Sequence, residues 1–201
     1  LPPDRSAHIL DVGCGAGHFL RFLEISGYIH GEGIELSAQQ AERARRCVSL
    51  PVHVGDVADF LEKWRGHYQV ITLNDVVEHI PKDQTVSFLR TLRGGLCDGG
   101  SLVVNVPQAA GLTTAFNRYN DFTHKLVFTE ASLRQVLLMA DFQKVRFVRE
   151  KWPLKWTPRH LSYRLVRWVW YRLLRLVYFI EMPGEKLPST WQVRIVAVAK
   201  R

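Results

Sequence analysis

The chain has 201 residues, of which 47% are hydrophobic, and a formal net charge of +8 at pH 7. This size and apolar content suit one globular domain with a substantial core and argue against two full domains, so we expect residues 1–201 to form a single domain. Cys14, Cys47 and Cys97 are too few and too widely spaced for a disulfide framework or a C-x-x-C metal site, which favours a reducing cytoplasm.

The excess of positive charge is local. Five arginines, at 159, 164, 167, 172 and 175, occur between residues 159 and 180 without any acidic residue, whereas the first half of the chain mixes both signs. A surface that faces a polyanion would therefore be confined to this region.

The N-terminal half alternates short runs rich in Ile and Val with longer helical patterns, which is typical of a parallel sheet covered by helices. Strands are predicted at 8–12, 31–36, 52–54, 69–73 and 101–106. Helices are predicted at 17–26, 38–50, 57–64 and 84–96, and Asp-Gly-Gly at 98–100 predicts a turn before the fifth strand.

The C-terminal part continues the sheet. Apolar residues at helical spacing predict a helix at 129–140, and alternating patterns at 142–149 and 192–199 predict two strands that pair as an antiparallel hairpin. An insertion at 151–190, with a helix from about 158 to 180, separates them. The prediction is a doubly wound α/β sheet of seven strands, mostly parallel with an antiparallel last strand.

Residues 9–17 read Ile-Leu-Asp-Val-Gly-Cys-Gly-Ala-Gly, a buried strand that runs into a glycine-rich turn and a helix. Glycines in such a turn permit positive φ angles and let the backbone approach a ligand, although any tight strand-to-helix turn also favours glycine. A dinucleotide fingerprint would have its third glycine where this chain has His18, which argues against a nicotinamide cofactor.

This turn resembles the first motif of the class I S-adenosylmethionine-dependent methyltransferases, acidic-x-Gly-x-Gly-x-Gly. The resemblance implies a Rossmann-like fold, methyl transfer, and a donor bound around Asp11, Gly13, Cys14, Gly15 and Gly17. Asp11 could instead orient the turn through backbone bonds. Nothing near Cys14 in sequence would lower its pKa, so its thiol is more consistent with a small filler than with a nucleophile.

Three further motifs match the family in register. Glu35, followed by Leu36, ends the second strand, where the family places an acid on the ribose hydroxyls. Asp56, followed by Val57, is placed to accept from the adenine amino group, and Asn74 begins a segment that resembles the one closing over the methionine part of the donor. Taken singly, Glu35 could be an ordinary strand end and Asp56 a helix N-cap.

The sulfonium donor is already activated, so the protein chiefly aligns the acceptor and excludes water. A hydroxyl acceptor must also lose its proton, and histidine is the natural base near neutral pH. Two histidines are catalytic candidates: His79, after the fourth strand, and His124, after the fifth strand, where this fold usually builds its acceptor pocket. Either could instead be structural.

The segment Asp75-x-x-Glu78-His79 also resembles a metal-binding Glu-x-x-Glu-His motif of some quinone-precursor and RNA-end methyltransferases. Oxygen and imidazole ligands at that spacing could hold Mg²⁺ or Zn²⁺. The first position is the shorter Asp here, and many metal-free relatives keep the Glu-His pair. We therefore predict a site without metal.

The segment that follows the fourth strand lacks the Asn/Asp-Pro-Pro-aromatic turn that grips a flipped base, so nucleic acid is a disfavoured acceptor. Residues 122–129, the Arg-rich insertion and the closing strand resemble methyltransferases of bacterial surface-glycan and lipid-linked saccharide pathways. We predict methyl transfer to a small-molecule, sugar or lipid-linked saccharide acceptor, at a hydroxyl. The alternatives are a non-catalytic donor-binding or scaffold protein of this fold and an RNA-end methyltransferase.

The helix at 158–180 is amphipathic, with arginines on one side, apolar residues on the other and Trp and Tyr interleaved. This composition favours a helix that lies in the interface of an anionic membrane, and the arginines interrupt the apolar run too often for it to span a bilayer. The protein would then be cytoplasmic and peripheral to the inner face of the membrane. Alternatively, the apolar side packs on the sheet or in a homodimer, or the arginines bind phosphate.

Overall fold

The computed structural model describes residues 1–111, 114–149, 158–184, 187 and 191–201, without the side chains of residues 115, 117 and 158–160. Within these residues seven strands form one sheet. The strands are β1 Ile9–Val12, β2 Gly31–Glu35, β3 Val52–Val54, β4 Tyr68–Asn74, β5 Leu96–Pro107, β6 Gln143–Val148 and β7 Arg194–Lys200. Of the predicted insertion at 151–190, residues 151–157, 185–186 and 188–190 lie outside the described residues.

Helices connect most of the strands. They are α1 His18–Ile25, α2 Ala38–Cys47, α3 Val57–Glu62, α4 Thr85–Gly95, α5 Thr114–Tyr119, α6 Glu130–Met139 and α7 Pro158–Glu181. A single turn of 3-10 helix at Val77–His79 follows β4. Helix α5 is only six residues long and was not predicted from the sequence.

The strand order is β3-β2-β1-β4-β5-β7-β6. Strands β1 to β5 pair in parallel, and β7 runs antiparallel between β5 and β6. The prediction of a Rossmann-like, doubly wound sheet with an antiparallel last strand is therefore confirmed. Because the order reverses at β1 and β4, the carboxyl ends of these two strands flank the crevice where such sheets bind ligands.

The turn predicted at 98–100 is absent, because these residues belong to β5. Tyr68 pairs with Leu96 and Val70 with Ser101, so four residues of β5 bulge opposite a single residue of β4. Gly99 adopts a φ of 74° within this bulge. The Asp-Gly-Gly signal thus marks a bend inside a strand rather than its start.

Alternate residues of the strands face two different cores. On one side, Leu10 and Ile71 join a core that includes Leu61 of α3, Leu89 of α4 and Leu133 of α6. On the other side the core is built from strand residues and from α1 and α2; its members include Ile9, Val70, Leu20, Leu23, Ala41 and Ala44. Both faces of the sheet are therefore covered, which explains the nearly continuous apolar runs of the central strands.

Candidate active site

The glycine turn after β1 is held against β2 by its own backbone. The main-chain N–H groups of Gly13 and Cys14 both donate to the carbonyl oxygen of Ile34, at 2.8 and 3.3 Å. Gly13 has a φ of 67°, and a Cβ atom there would lie 2.7 Å from a methyl group of Val76. A side chain at position 13 would therefore be strained and would collide with the loop after β4.

The carboxylate of Glu35 bridges the end of β2 and the glycine turn. Oε2 accepts from the main-chain N–H of Gly15 at 2.9 Å, and Oε1 accepts from that of Ser37 at 3.0 Å. An ionised carboxylate has about four acceptor positions, so each oxygen retains a lone pair for a further donor. The structure thus fixes the orientation of Glu35 at the edge of a cleft.

Asp56 has the capping role that the sequence left open. Its Oδ1 accepts from the N–H of Ala58 at 2.7 Å and caps α3. Asp56 is exposed and lies on the cleft, so Oδ2 remains available to a ligand while Oδ1 holds the helix. Capping and ligand binding are therefore compatible at this residue.

A cleft of about 460 Å³ opens at the carboxyl ends of the central strands. Five of the predicted donor-binding residues line it: Gly13, Glu35, Leu36, Asp56 and Val57. The opposite wall comes from residues that the sequence analysis missed: Ile80, Gln84, Ser87, Phe88 and Thr91. Positions 84, 87, 88 and 91 share one helical face and three of them are polar, a pattern that an ordinary solvent-exposed helical face also shows.

Asp11 and Asn74 lie beside the cleft without lining it. Asp11 is buried, and its Oδ1 accepts from the hydroxyl of Thr72 at 2.6 Å and from the side-chain amide of Asn74 at 3.2 Å. Burial raises the pKa of Asp11 to about 6, although these two hydrogen bonds oppose the rise. In this structure Asp11 therefore connects β1 to β4 directly beneath the glycine turn.

The side chain of Cys14 points into the core rather than into the cleft. A Cβ atom at Gly33 would lie 2.7 Å from Cys14 Sγ, so the thiol occupies the space that this glycine leaves. Burial raises the pKa of Cys14 to about 12. The thiol therefore stays protonated near neutral pH, in line with its interpretation as a filler.

The two candidate histidines meet, although they are 45 positions apart in sequence. Their ring centroids lie 4.8 Å apart with an angle of 57° between the ring planes. The main-chain N–H groups of Lys125 and Leu126 both donate to the carbonyl oxygen of Glu78, at 2.8 and 3.0 Å. These bonds fasten the loop of His124 to the turn of His79, whose neighbour Ile80 lines the cleft.

Glu78 is buried next to this pair. Neither of its carboxyl oxygens has a hydrogen-bond partner within the part of the chain that is described. Burial raises the pKa of Glu78 well above its usual range, and the negative charge of Asp75 raises it further. One ligand-type atom from each of Glu78, His79 and His124 lies within 4.8 Å of the others, so these three groups could hold a metal ion.

Asp75, the first position of the motif weighed for metal binding, has a different role. Its carboxylate forms an ion pair with Arg194 of β7, whose Nε also donates to Oδ1 of Asn105 at 2.9 Å. Asp75 adopts a φ of 55°, and its N–H donates to the carbonyl oxygen of Asn105. It therefore connects the loop after β4 to β5 and β7 and is not one of the three clustered ligands.

The sequence model of the methyltransferase domain family matches residues 1–146. The chain belongs to the methyltransferase domain family. With its sheet order and glycine turn, it is a class I S-adenosylmethionine-dependent methyltransferase, and S-adenosylmethionine is its cofactor. No curated protein matches the chain in sequence.

Solved structures share this fold at low sequence identity. A methyltransferase from Archaeoglobus fulgidus has a TM-score of 0.71 at 19% identity, with 97% of this chain and 86% of that chain covered. A possible histamine N-methyltransferase from Thermotoga maritima has a TM-score of 0.68 at 17% identity, covering 100% and 83%. A methyltransferase from Mesorhizobium loti has a TM-score of 0.63 at 16% identity, covering 100% and 94%.

Proposed function

We propose that this methyltransferase transfers the methyl group of S-adenosylmethionine to a hydroxyl of a small molecule, a sugar or a lipid-linked saccharide. The observation that carries this proposal is the contact between His79 and His124 beside the donor cleft. A hydroxyl is a weak nucleophile until its proton leaves, and an imidazole is the side chain best suited to accept that proton near pH 7.

The proposed donor pose follows from the cleft. Glu35 would accept hydrogen bonds from the two ribose hydroxyls, because its carboxylate lies at the end of β2 with lone pairs available. Asp56 would accept from the adenine amino group, with Leu36 and Val57 against the adenine ring. The backbone of the glycine turn and Asn74 would then face the methionine part, which places the methyl group towards the histidines.

The similar solved structures do not identify the acceptor of this enzyme. They include proteins described as a 1,6-didemethyltoxoflavin N1-methyltransferase and a phosphoethanolamine N-methyltransferase, at 17% and 13% identity. At this identity the likeness is one of fold, so nitrogen acceptors and RNA ends enter the experiment as competing outcomes.

The test is a screen with donor labelled in its methyl group. Sugars, phenols and prenyl-phosphate-linked saccharides would be offered beside amines and short RNA, with His79→Gln/His124→Phe as the inactive control. We expect label in a hydroxyl-bearing acceptor and none from the control. Transfer to an amine or to RNA that survives loss of both histidines would contradict the proposal.

We further propose that α7 docks this enzyme on an anionic membrane surface. Within the described residues no helix is long and apolar enough to cross a bilayer. Helix α7 is attached to the domain by one narrow edge, where Leu174 is buried and Tyr178 donates its hydroxyl to the carbonyl oxygen of Ala110 at 2.8 Å. Tyr178 also contacts Trp191, with ring centroids 4.8 Å apart.

Arg167 and Tyr171 are half-buried along the same edge as Leu174 and Tyr178, and the other described side chains of α7 are exposed. Successive residues turn by about 100° around a helix, so the edge that contains Leu174 and Tyr178 lies nearly opposite an apolar stripe. That stripe is exposed along its length and consists of Val166, Val169, Leu173, Leu176, Val177 and Ile180. The alternative that this apolar side packs on the chain's own sheet is therefore wrong for the described residues.

By the same helical spacing, Arg164 and Arg175 lie on the side of α7 away from the apolar stripe, and Arg172 lies between them and the stripe. The guanidinium of Arg172 is 5.0 Å from the centre of the Trp168 ring. Arg159 lies in the part of α7 whose side chains are not described. Apolar groups that face outward beneath a row of arginines complement a bilayer with anionic headgroups. Each arginine near such a surface contributes about 1 kcal/mol.

Sedimentation with vesicles of phosphatidylcholine alone, or with phosphatidylglycerol added, tests the docking. We expect binding to anionic vesicles that weakens in high salt and is lost on changing Arg164, Arg172 and Arg175 to Gln. Changing Arg43, Arg46 and Arg65 to Gln removes equal charge elsewhere and should leave binding intact. Failure of the wild type to bind at low salt, or a dimer that depends on Val169 and Leu173, would contradict membrane docking.

A further inference from the structure

A chain of hydrogen bonds links Asp121, Thr123 and His79. The hydroxyl Oγ1 of Thr123 lies 2.6 Å from Oδ1 of Asp121 and 2.9 Å from Nδ1 of His79. Oδ1 of Asp121 also accepts from the main-chain N–H of Thr123 at 2.8 Å. Neither Asp121 nor Thr123 was identified from the sequence.

The position of each proton in this series of hydrogen bonds follows from the number of donor hydrogens available. The two hydrogen bonds from Thr123 keep the pKa of Asp121 below its usual value, so Asp121 is an ionised acceptor near neutral pH. The single hydroxyl proton of Thr123 therefore points to Asp121. Thr123 Oγ1 then has only lone pairs to offer His79, so Nδ1 of His79 must carry a hydrogen and donate it.

The assignment fixes the chemistry of the other ring nitrogen. A neutral imidazole with its hydrogen on Nδ1 has a lone pair on Nε2. Nε2 of His79 is then available to accept a proton, whereas the opposite tautomer would present an N–H there. The hydrogen bond also fixes the rotation of the ring, and the backbone bonds from Lys125 and Leu126 to Glu78 hold the two loops together.

We propose that Asp121 and Thr123 are positioning residues that hold His79 as the general base of the reaction; this inference rests on the proposed hydroxyl acceptor. The acceptor O–H bond breaks as Nε2 of His79 takes the proton, the oxygen forms a bond to the methyl carbon, and the sulfur–methyl bond breaks to leave S-adenosylhomocysteine. His79 then releases the proton to water, and no further reactant is required.

The surroundings of His79 suit the imidazolium that forms in this step. Asp121 provides a negative charge two hydrogen bonds away, through Thr123. His124 contacts the ring of His79, and its Nε2 lies 3.9 Å from Oδ2 of Asp121. The charge of Asp75, on the same loop as His79, is paired with Arg194.

The tautomer of His79 can be measured by NMR without any acceptor. Imidazole ¹H–¹⁵N correlations would be recorded with S-adenosylhomocysteine bound, above about pH 8, where histidines are neutral. His79→Gln assigns the signals among the eight histidines of the chain. We expect the Nδ1–H form of His79 in the wild-type protein.

Two pairs of variants then separate positioning from mere packing. Thr123→Val keeps the side-chain shape but removes the acceptor, and Asp121→Ala frees the Thr123 proton to face His79, so both should shift His79 to the Nε2–H form. Thr123→Ser and Asp121→Asn keep the acceptors and should retain the Nδ1–H form. Finding Nε2–H in the wild type, or no shift in Thr123→Val, would overturn the assignment whether or not a hydroxyl acceptor is found.

A kinetic cycle tests the catalytic consequence, on an acceptor that gives a methoxy product in the labelled-donor screen. Thr123→Val should lower kcat about 10-fold or more with little change in KM, and should have no effect in a His79→Gln background. An equal loss in both backgrounds would show that Thr123 acts independently of His79 and would overturn the proposal.

Discussion

Glu35 and Gly15 are joined by a 2.9 Å hydrogen bond from the main-chain N–H of the glycine to Oε2 of the carboxylate. The bond makes the end of β2 and the turn after β1 a single unit. The backbone proposed to face the donor and the acid proposed to hold the ribose therefore have a fixed relative position before any ligand arrives. Such preorganisation reduces the ordering that accompanies binding.

This relationship predicts the effect of changing Glu35. Glu35→Ala removes the acceptor for two ribose hydroxyls, and we expect S-adenosylhomocysteine to bind more weakly by about 1.5 to 3 kcal/mol, the worth of charge-assisted hydrogen bonds. Calorimetry measures this difference. Glu62→Ala removes an exposed acid of α3 that does not line the donor cleft, and it should bind like wild type. An unchanged affinity in Glu35→Ala would remove Glu35 from the site.

Changing Asp56 to Asn separates its role as the cap of α3 from its proposed role in adenine recognition. Asn at position 56 can still cap α3 through its carbonyl oxygen, but its amide group donates where the adenine amino group needs an acceptor. Asp56→Asn should therefore keep the thermal midpoint of unfolding near wild type and weaken donor binding about 10-fold. Equal donor affinity, together with a lower midpoint, would indicate that Asp56 serves only as a cap.

The raised pKa of buried Asp11 predicts that the free energy of unfolding depends on pH. Burial raises its pKa to about 6 from an ordinary value of 3.8, so between these pH values the folded state holds a proton that the unfolded state lacks. The free energy of unfolding therefore falls as pH rises through this window, and the loss is complete above about pH 6.

Asp11→Asn should remove this titration while keeping an oxygen that accepts from Thr72 and Asn74. We expect the stability of the variant relative to wild type to rise between about pH 4 and pH 6, by about 3 kcal/mol, and to stay level above that range. Urea unfolding across the pH series measures the difference. A relative stability that does not vary with pH would mean that Asp11 has an ordinary pKa in the folded protein.

The two histidines should differ in their effect on catalysis. His79→Gln removes the proposed base and should reduce methyl transfer about 100-fold, with donor affinity near wild type. His124→Phe keeps a ring in contact with His79 and should reduce it only a few-fold. A chelator should leave the wild-type rate unchanged, because this chemistry requires no metal. Loss of activity with a chelator that added Mn²⁺ or Zn²⁺ restores would instead assign Glu78, His79 and His124 to a metal.

Much of the fold could be predicted because its signals are local. Apolar runs such as Ile9–Val12 end in glycines that tolerate positive φ, and these patterns give the strand, the turn and the following helix. The antiparallel hairpin of β6 and β7 could be predicted because apolar and polar residues alternate in both segments. By contrast, the bulge at Gly99 has the same sequence signal as a turn, and only pairing with β4 distinguishes the two.

The candidate site was predictable where motif and strand end coincide, as for Glu35 and Asp56. The opposite wall of the cleft depends on how α4 packs across the sheet, so Ser87 and Thr91 gave no motif of their own. The contact of Thr123 with His79, which are 44 positions apart, depends on backbone bonds between two loops, and no local pattern encodes these bonds.

We propose that the acceptor atom of this methyltransferase is a hydroxyl oxygen. Reaction with S-adenosylmethionine labelled with ¹³C in its methyl group, followed by ¹³C NMR of the product formed from the saccharide, phenol and amine panel, identifies this atom. The ¹³C shift of a methyl carbon distinguishes attachment to oxygen from attachment to nitrogen or carbon. We expect a methoxy signal that disappears in His79→Gln, whereas an N-methyl signal that persists in that variant would contradict a hydroxyl acceptor.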